Sequence, residues 1–485
     1  MFHGHPPARF IRSSHRTRGV SSVQVLLLVL FACAREDAPP GPSSTNGLPL
    51  VQEWVAADET AGAVNWAQCR PSAEPLRVDC ALGSARPLVS RWQVEGVAVP
   101  VEAPEGNDHD VVLWGMGADD DVRWSVELLD DAGVVRGTAS GRLSSPGAAG
   151  VWEIVRASVE GDASQVPPML VRAGCPGAEG WMWLDATGKL RGVQAVDQDT
   201  KAVSFDGRDG VYAIVGRRQV EYRGLDGVLR WRSAAFDHPL HHDVHLADDG
   251  LVWVLFAEEV NGVVSDGLWV LDDTGREVAR WHLADHVPTG EGRALSSYWT
   301  GAFPLTGDWS HGNSVHVRDG EALLSLRWLD AVVALDADPS SSRFGEVRWV
   351  AEGRDGELSA DLSFDGEDGW VGQHHATRTS SGDLMVFDNR SFPKRSRVVQ
   401  VAADLGAGTL DEVASWEMDT HCEVQGSAYE LSTGDVLATC GPRARASLWR
   451  PGQDRSVWSM TLQCATAPHR VVPRFVPMEG VLSRQ

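Results

Sequence analysis

The strongest constraint on this chain is a short unit that recurs four times in its C-terminal half, each copy built round a turn glycine. The best preserved is HGNSVHVRDGEALLSLRWLDAVVALD, from His311 to Asp336. There an alternating strand (Ser314 to Val317) runs into a DG turn, and an apolar strand (Leu323 to Leu326) follows. Gly250 is preceded eight residues earlier by His242, Gly320 nine residues earlier by His311, and Gly382 eight residues earlier by His374. The fourth copy has Gly426 eight residues before Gly434 and no histidine. Counting forward seven from the same glycines lands on Ala257, Arg327, Asn389 and Gly441. Further strands follow, as in Ala331 to Leu335 and Val347 to Val350. Units made only of strands bury little alone, and the closed architecture that repeats them, four strands to a blade, is the β-propeller. Equivalent positions of successive blades converge on one axis, so His242, His311 and His374 are expected to face one central channel.

Four motifs stand in order along this region. They are HHD (His241 to Asp243); DWSHGNS (Asp308 to Ser314) with SLRWLDAV (Ser325 to Val332); GQHHA (Gly372 to Ala376) with FDN (Phe387 to Asn389); and QGSAYELSTGDVLATCG (Gln425 to Gly441). Across roughly residues 150 to 485 the series resembles the arylsulfotransferase family, bacterial enzymes that use aryl sulfate esters rather than a nucleotide sulfate donor. The resemblance implies six blades, an aryl sulfate donor, a phenolic acceptor, a sulfohistidine intermediate and no cofactor. Moving a sulfuryl group between phenols requires a nucleophile, a proton donor for the departing phenolate, and positive charge on the sulfuryl oxygens. Imidazole serves the first two roles, and the planar guanidinium fork suits the third.

By the resemblance, His374, after Gln in the QHxA motif, is the nucleophile. His311 and His242 flank the sulfuryl group, one of them handling the proton, and Arg327 of the SxR motif binds the sulfuryl oxygens. The residues leave open which histidine is the acid and whether His241 rather than His242 turns inward. His375 should point away from His374, since successive strand residues alternate. Asn313 and Asn389 are candidates to fix a tautomer by hydrogen bond. His238, His245, His282, His286, His316 and His421 belong to no motif and read as structural. Two rival readings exist. Three channel imidazoles also suit zinc, but Arg327 in the same ring would repel a dication. A non-catalytic, lipid-anchored binding scaffold is disfavoured by the retention of all four polar positions.

The N-terminus reads as a leader. Arg9, Arg12, Arg16 and Arg18 precede an apolar run, Val23 to Ala32, too short for the ~20 residues that span a bilayer. It ends Leu30-Phe31-Ala32-Cys33, which resembles a bacterial lipobox, so residues 1–33 are expected to be a signal peptide whose cleavage leaves a lipid on Cys33. The product would be exported as a periplasmic or cell-surface lipoprotein. Ala34 after the cysteine resembles those sent to an outer membrane.

Removing Cys33 from the seven cysteines leaves an even set in an oxidising compartment, with Cys69 and Cys80 the expected pair. Cys175, Cys422, Cys440 and Cys464 allow three pairings. Loss of the four leader arginines takes the formal net charge from -24 to -28, which argues against nucleic acid as a partner. Residues 34–50, rich in Pro, Ser and Gly, read as a tether. Short alternating segments across residues 51–145 suggest a fibronectin-like β-sandwich flanking the propeller, which is expected over residues 150–485. The segment His469 to Pro477 is expected to close the ring against the first blade.

Overall fold

The computed structural model describes residues 54–482, apart from 58–62, 73, 148–154, 173–179, 197, 294–298, 300, 366–368 and 465–473. The leader, Cys33, the tether and Cys175 lie outside the described residues. Among the described residues every regular element is a strand, apart from single 3-10 turns at Leu283–Asp285 and Gly441–Arg443. This is the all-β propeller fold that the repeat predicts.

The repeat folds as hairpins because its turn glycines permit a backbone that other residues resist. Gly250, Gly320, Gly382 and Gly434 have φ of +86°, +71°, +89° and +79°. A Cβ placed on any of the first three would meet no atom within 4 Å, so the requirement for glycine there is conformational, not steric. From each turn the chain enters a buried apolar strand, as in Glu321–Leu326 after Gly312–Arg318. Ala331–Asp336 and Val347–Glu352 complete that sheet antiparallel.

Among the described residues six such sheets of four or five strands follow one another. Their innermost strands are Phe475–Pro477, Thr200–Phe205, Leu240–Leu246, Gly312–Arg318, His374–Arg378 and Ser427–Glu430, and neighbouring members pack side by side round a central channel. The two ends of the ring interlock. Early in the chain, Val155–Gly161 supplies the outermost strand of the sixth sheet, against Trp458–Cys464. At the other end, Phe475–Pro477 supplies the innermost strand of the first sheet, against Met169–Arg172.

Tryptophans join neighbouring sheets. The indole N–H groups of Trp281, Trp370 and Trp458 each donate at 3.0 Å to a carbonyl of the next or preceding sheet, respectively Gly345, Asp330 and Ala186. Their rings bury a large apolar area while the polar edge stays satisfied.

The region expected to be a two-sheet sandwich is hydrogen-bonded as one six-stranded sheet. Its long strand Val78–Val94 pairs with Val64–Pro71 over its first half and with Asp121–Leu129 over its second, while Val101–Leu113 runs along the opposite edge. A register shift between Gly83 and Leu88 lets one strand serve both halves, the way strands turn corners between sheets. The sheet lies on the flank of the ring. Trp114 meets Trp183 edge-on at 6.2 Å, and both belong to a core that also includes Leu170, Val211 and Val476. The described residues therefore form one compact unit.

Phe475 is fully buried in the core between the first and sixth sheets, and its amide donates to Thr439 Oγ1 at 3.1 Å. Phe475→Ala should lower the unfolding free energy by about 3–5 kcal/mol, the range for emptying a buried aromatic site. The readout is a lower urea midpoint at unchanged slope; an unaltered midpoint would place the closing strand outside the cooperative core.

Candidate active site

The inner strands of three consecutive sheets begin with an irregularity, and these irregularities carry the polar residues. Pairing slips between Leu240 and Val244, between Gly312 and Ser314, and between His374 and Ala376. At these places His242, His311 and His375 take φ of +50°, +51° and +55°. Histidine rarely adopts left-handed backbone, and strain held by surrounding structure clusters where side chains must be re-aimed for function. His374 and His375 have different surroundings across the slip. His375 lines a cavity of ≈ 300 Å³ with His245, His316 and Tyr429.

His374 is almost fully enclosed, at 3% exposure. Its Nδ1 lies 2.8 Å from Asn389 Oδ1, and its Nε2 accepts the Gln425 backbone N–H at 3.1 Å. An amide oxygen only accepts, so Nδ1 carries the proton and Nε2 the lone pair. Asn389 is itself fixed, its Nδ2 donating to the carbonyls of Cys422 and Gln425 at 2.6 and 2.8 Å. The Cys422–Cys440 disulfide pins that loop to the neighbouring strand.

His311 is held differently. Its Nδ1 lies 2.6 Å from the buried Asp308 carboxylate, which also accepts the Trp328 indole N–H at 3.0 Å. The His311 ring stands 5.0 Å from the His242 ring. Behind His242, His241 is wholly buried, their Nδ1 atoms 2.7 Å apart. His241 is therefore in the wall and His242 is the member beside His311, which answers what the HHD motif leaves open.

Arg327 stacks on Trp328 at 4.5 Å and donates through Nη2 to the Glu423 carbonyl at 2.9 Å. Its buried Nε has no hydrogen-bond partner among the described residues. Burial lowers its pKa to about 10, against the pull of Asp330 and Asp308, so it remains a cation at neutral pH. His374 is held well below its ordinary value of 6.5 by burial and then by the Arg327 charge, with the Asn389 hydrogen bond opposing. Burial also holds His242 well below 6.5, followed by the neighbouring His241, His311 and His374. The four sequence-derived residues are thus linked electrostatically, Arg327 and His311 acting on His374, and His311 and His374 on His242.

Three participants escaped the sequence reading. Asp308 stands inside the DWSHGNS motif, where its reach back to His311 has no signature. Asp266 is the one acid in Val263–Leu271, VVSDGLWVL, a strand buried at every position. A carboxylate there demands partners, and that signal was readable. Arg474 enters the channel from the closing strand, donating to the Asp243 carboxylate and to the Asn313 carbonyl. Among the described residues no group of three or more His, Cys, Asp or Glu side chains is arranged to hold a metal ion.

The sequence model of the Arylsulfotransferase (ASST) family matches residues 176–441, more than half the chain. The chain belongs to that family. Membership makes it an aryl sulfotransferase in the general sense, with an aryl sulfate as donor and a phenol as acceptor. No curated protein matches it. Solved structures similar to it include a catalytically inactive virginiamycin B lyase from Staphylococcus aureus with quinupristin, at 9% identity and TM-score 0.36, covering 67% of this chain and 89% of that one. A putative 6-phosphogluconolactonase from Bacteroides fragilis is 12% identical at TM-score 0.36, covering 81% and 97%. Similarity this low carries no argument about chemistry.

Five imidazoles, those of His242, His245, His316, His374 and His375, are held below 6.5, in each case chiefly by burial. The folded state refuses protons that the unfolded chain accepts below that pH, so stability is complete above it and falls as pH drops. The slope is up to about 1.4 kcal/mol per pH unit for each such histidine. Asp330, raised to about 6 by burial, works in the opposite sense, as do Asp209 and Glu352, while the buried ring of His109 adds to the imidazoles. The urea midpoint should therefore be lower at pH 5.5 than at pH 7.5, and His375→Gln should reduce the difference; equal midpoints would mean that these imidazoles protonate in place.

Proposed function

We propose that the arylsulfotransferase works through a covalent sulfohistidine on His374. Nε2 of His374 attacks the sulfur of the aryl sulfate, an N–S bond forms, and the bond from sulfur to the aryl oxygen breaks. The departing phenolate takes the proton held on Nε2 of His311. In the second half the acceptor phenol returns a proton to His311, its oxygen attacks sulfur, and the N–S electron pair goes back to His374. Arg327 binds the sulfuryl oxygens throughout, its partnerless Nε and planar fork suited to a tetrahedral oxyanion. The Gln425 N–H, which donates to Nε2 in the resting enzyme, releases that lone pair for the attack and is then free to donate to the same oxygens.

The observation that carries this reading is the contrast between two partners. His374 Nδ1 faces a neutral amide and His311 Nδ1 faces a carboxylate. A neutral imidazole with its lone pair on Nε2 is a nucleophile. An imidazole backed by a carboxylate is stabilised when it carries both protons, as an acid must. His311 is thus the proton shuttle, with the His242 ring beside it.

Mixed with a nitrophenyl sulfate and no acceptor, the enzyme should release one equivalent of phenol in a burst and gain the mass of one sulfuryl group on His374; a phenol added afterwards should discharge it. His374→Asn should abolish burst and adduct, and Arg327→Met should slow the burst about 10²–10³-fold while leaving the unfolding midpoint close to wild type. A protein that binds ligand in the channel but yields neither burst nor adduct would be the binding scaffold instead.

Attachment through a lipid on Cys33 and an exported location complete the proposal. The disulfides Cys69–Cys80 and Cys422–Cys440 support an oxidising compartment. Radioactive fatty acid should label the wild type and not Cys33→Ala; equal labelling of both would exclude the lipidated cysteine.

A further inference from the structure

The carboxylate of Asp266, 1% exposed, touches the chain neighbours of both histidines that flank the sulfuryl position. On one side its Oδ2 accepts the Ser310 hydroxyl and the Gly312 amide, each at 2.5 Å. These residues bracket His311, whose left-handed backbone needs to be held from both sides. On the other side Oδ1 lies 3.0 Å from Nε2 of His241, a contact off the line of a straight hydrogen bond. Facing a carboxylate, Nε2 of His241 carries the ring's proton, so its Nδ1 is an acceptor. The Nδ1 of His242, 2.7 Å away, must then be the donor, which leaves the lone pair of His242 on Nε2.

We propose that Asp266 and His241 are positioning residues: Asp266 sets the tautomer of His242 through His241, and clamps the backbone of His311 through Ser310 and Gly312. This rests on the sulfotransfer reading above. Neither residue touches substrate. Asp266 is suited to the task because its charge is compensated. Burial alone would raise its pKa, but the contacts from His241, Ser310 and Gly312 outweigh it and hold the carboxylate below the usual range. Other charged or titratable groups acting on His242 are His311, His374 and Arg474. Its three partners are the Ser310 hydroxyl, the Gly312 amide and the His241 ring. One carboxylate on the third strand of its sheet thereby links two segments about seventy residues apart in the chain.

The test separates proton handling from structure. Burst with a nitrophenyl sulfate needs little acid assistance, because its phenol is a good leaving group, whereas discharge to unsubstituted phenol requires the acceptor proton to be removed. Asp266→Asn, near-isosteric, should slow discharge to phenol at least tenfold more than it slows the burst, and acidic nitrophenols as acceptors should recover most of the loss. His241→Phe should reproduce the defect. His241→Asn, whose amide can stand where Nδ1 stood and accept from His242, should recover a substantial part of it. Equal loss of burst and discharge, with no dependence on the acidity of the acceptor, would reduce Asp266 and His241 to packing and overturn the proposal. If Asp266→Asn does not fold, the comparison of His241→Phe with His241→Asn decides alone. Absence of a burst from the wild type would instead defeat the sulfohistidine reading, a result distinguishable from either.

Discussion

Everything in the channel depends on how the ring is closed. A circle of sheets has no edge only if its first and last members share strands, and here the closing segment brings Arg474 into the middle of the channel as it pairs with the first sheet. Arg474 bonds to the Asp243 carboxylate in the third sheet and to the Asn313 carbonyl in the fourth. Asp243 in turn accepts the Val315 amide at 2.9 Å. The Asn313 side chain spans to the fifth sheet, donating to the Gln373 carbonyl at 2.8 Å and accepting the His375 amide at 3.2 Å. Those two residues flank His374. Closure and the pose of His374 are therefore one network, and breaking a buried ion pair on one side costs far more than the pair contributes when intact.

Charge in the channel is arranged against the character of the whole. The chain is strongly acidic, yet two arginines, Arg327 and Arg474, act on the candidate nucleophile. Both act to keep His374 uncharged, as does burial, which is the larger influence. An anionic sulfate ester approaching this chamber leaves a repulsive surface for a local positive field. Selectivity then falls to groups that reach the sulfuryl oxygens directly, since long-range attraction is absent.

Much of this was legible in the sequence because the repeat fixes register. Turn glycines at constant distance from His242, His311 and His374 place the three at the start of inner strands, and Arg327 falls at the matching end of the next strand. The expected Cys69–Cys80 pair is present, since a short hairpin brings the two cysteines opposite each other. What stayed hidden lies where register is broken or where partners are remote. The slip before Val244 decides that His241 turns into the wall, and no pattern of residue types announces such a slip. Asp266 reaches Ser310 across 44 residues and Arg474 reaches Asp243 across 231. The single hydrogen-bonded sheet at the N-terminus was also unreadable, because strand count does not say which strand is shared between two halves.

In the proposed mechanism the chemistry turns on giving neighbouring imidazoles unlike partners. Had His374 faced a carboxylate at Nδ1, the added negative charge would have favoured protonation and removed the lone pair that must attack sulfur. The neutral Asn389 orients the ring without inviting a second proton, and still accepts the N–H as positive charge develops on the ring in the N–S bonded state. His311 has the reverse need, since it must hold a proton until the phenolate departs, and the Asp308 carboxylate supplies the compensating charge. Exchanging the two partners would leave every distance in the chamber almost unchanged and exchange which histidine can attack and which can protonate. Identity of the residue behind each ring, more than the position of the rings, therefore decides which histidine does what.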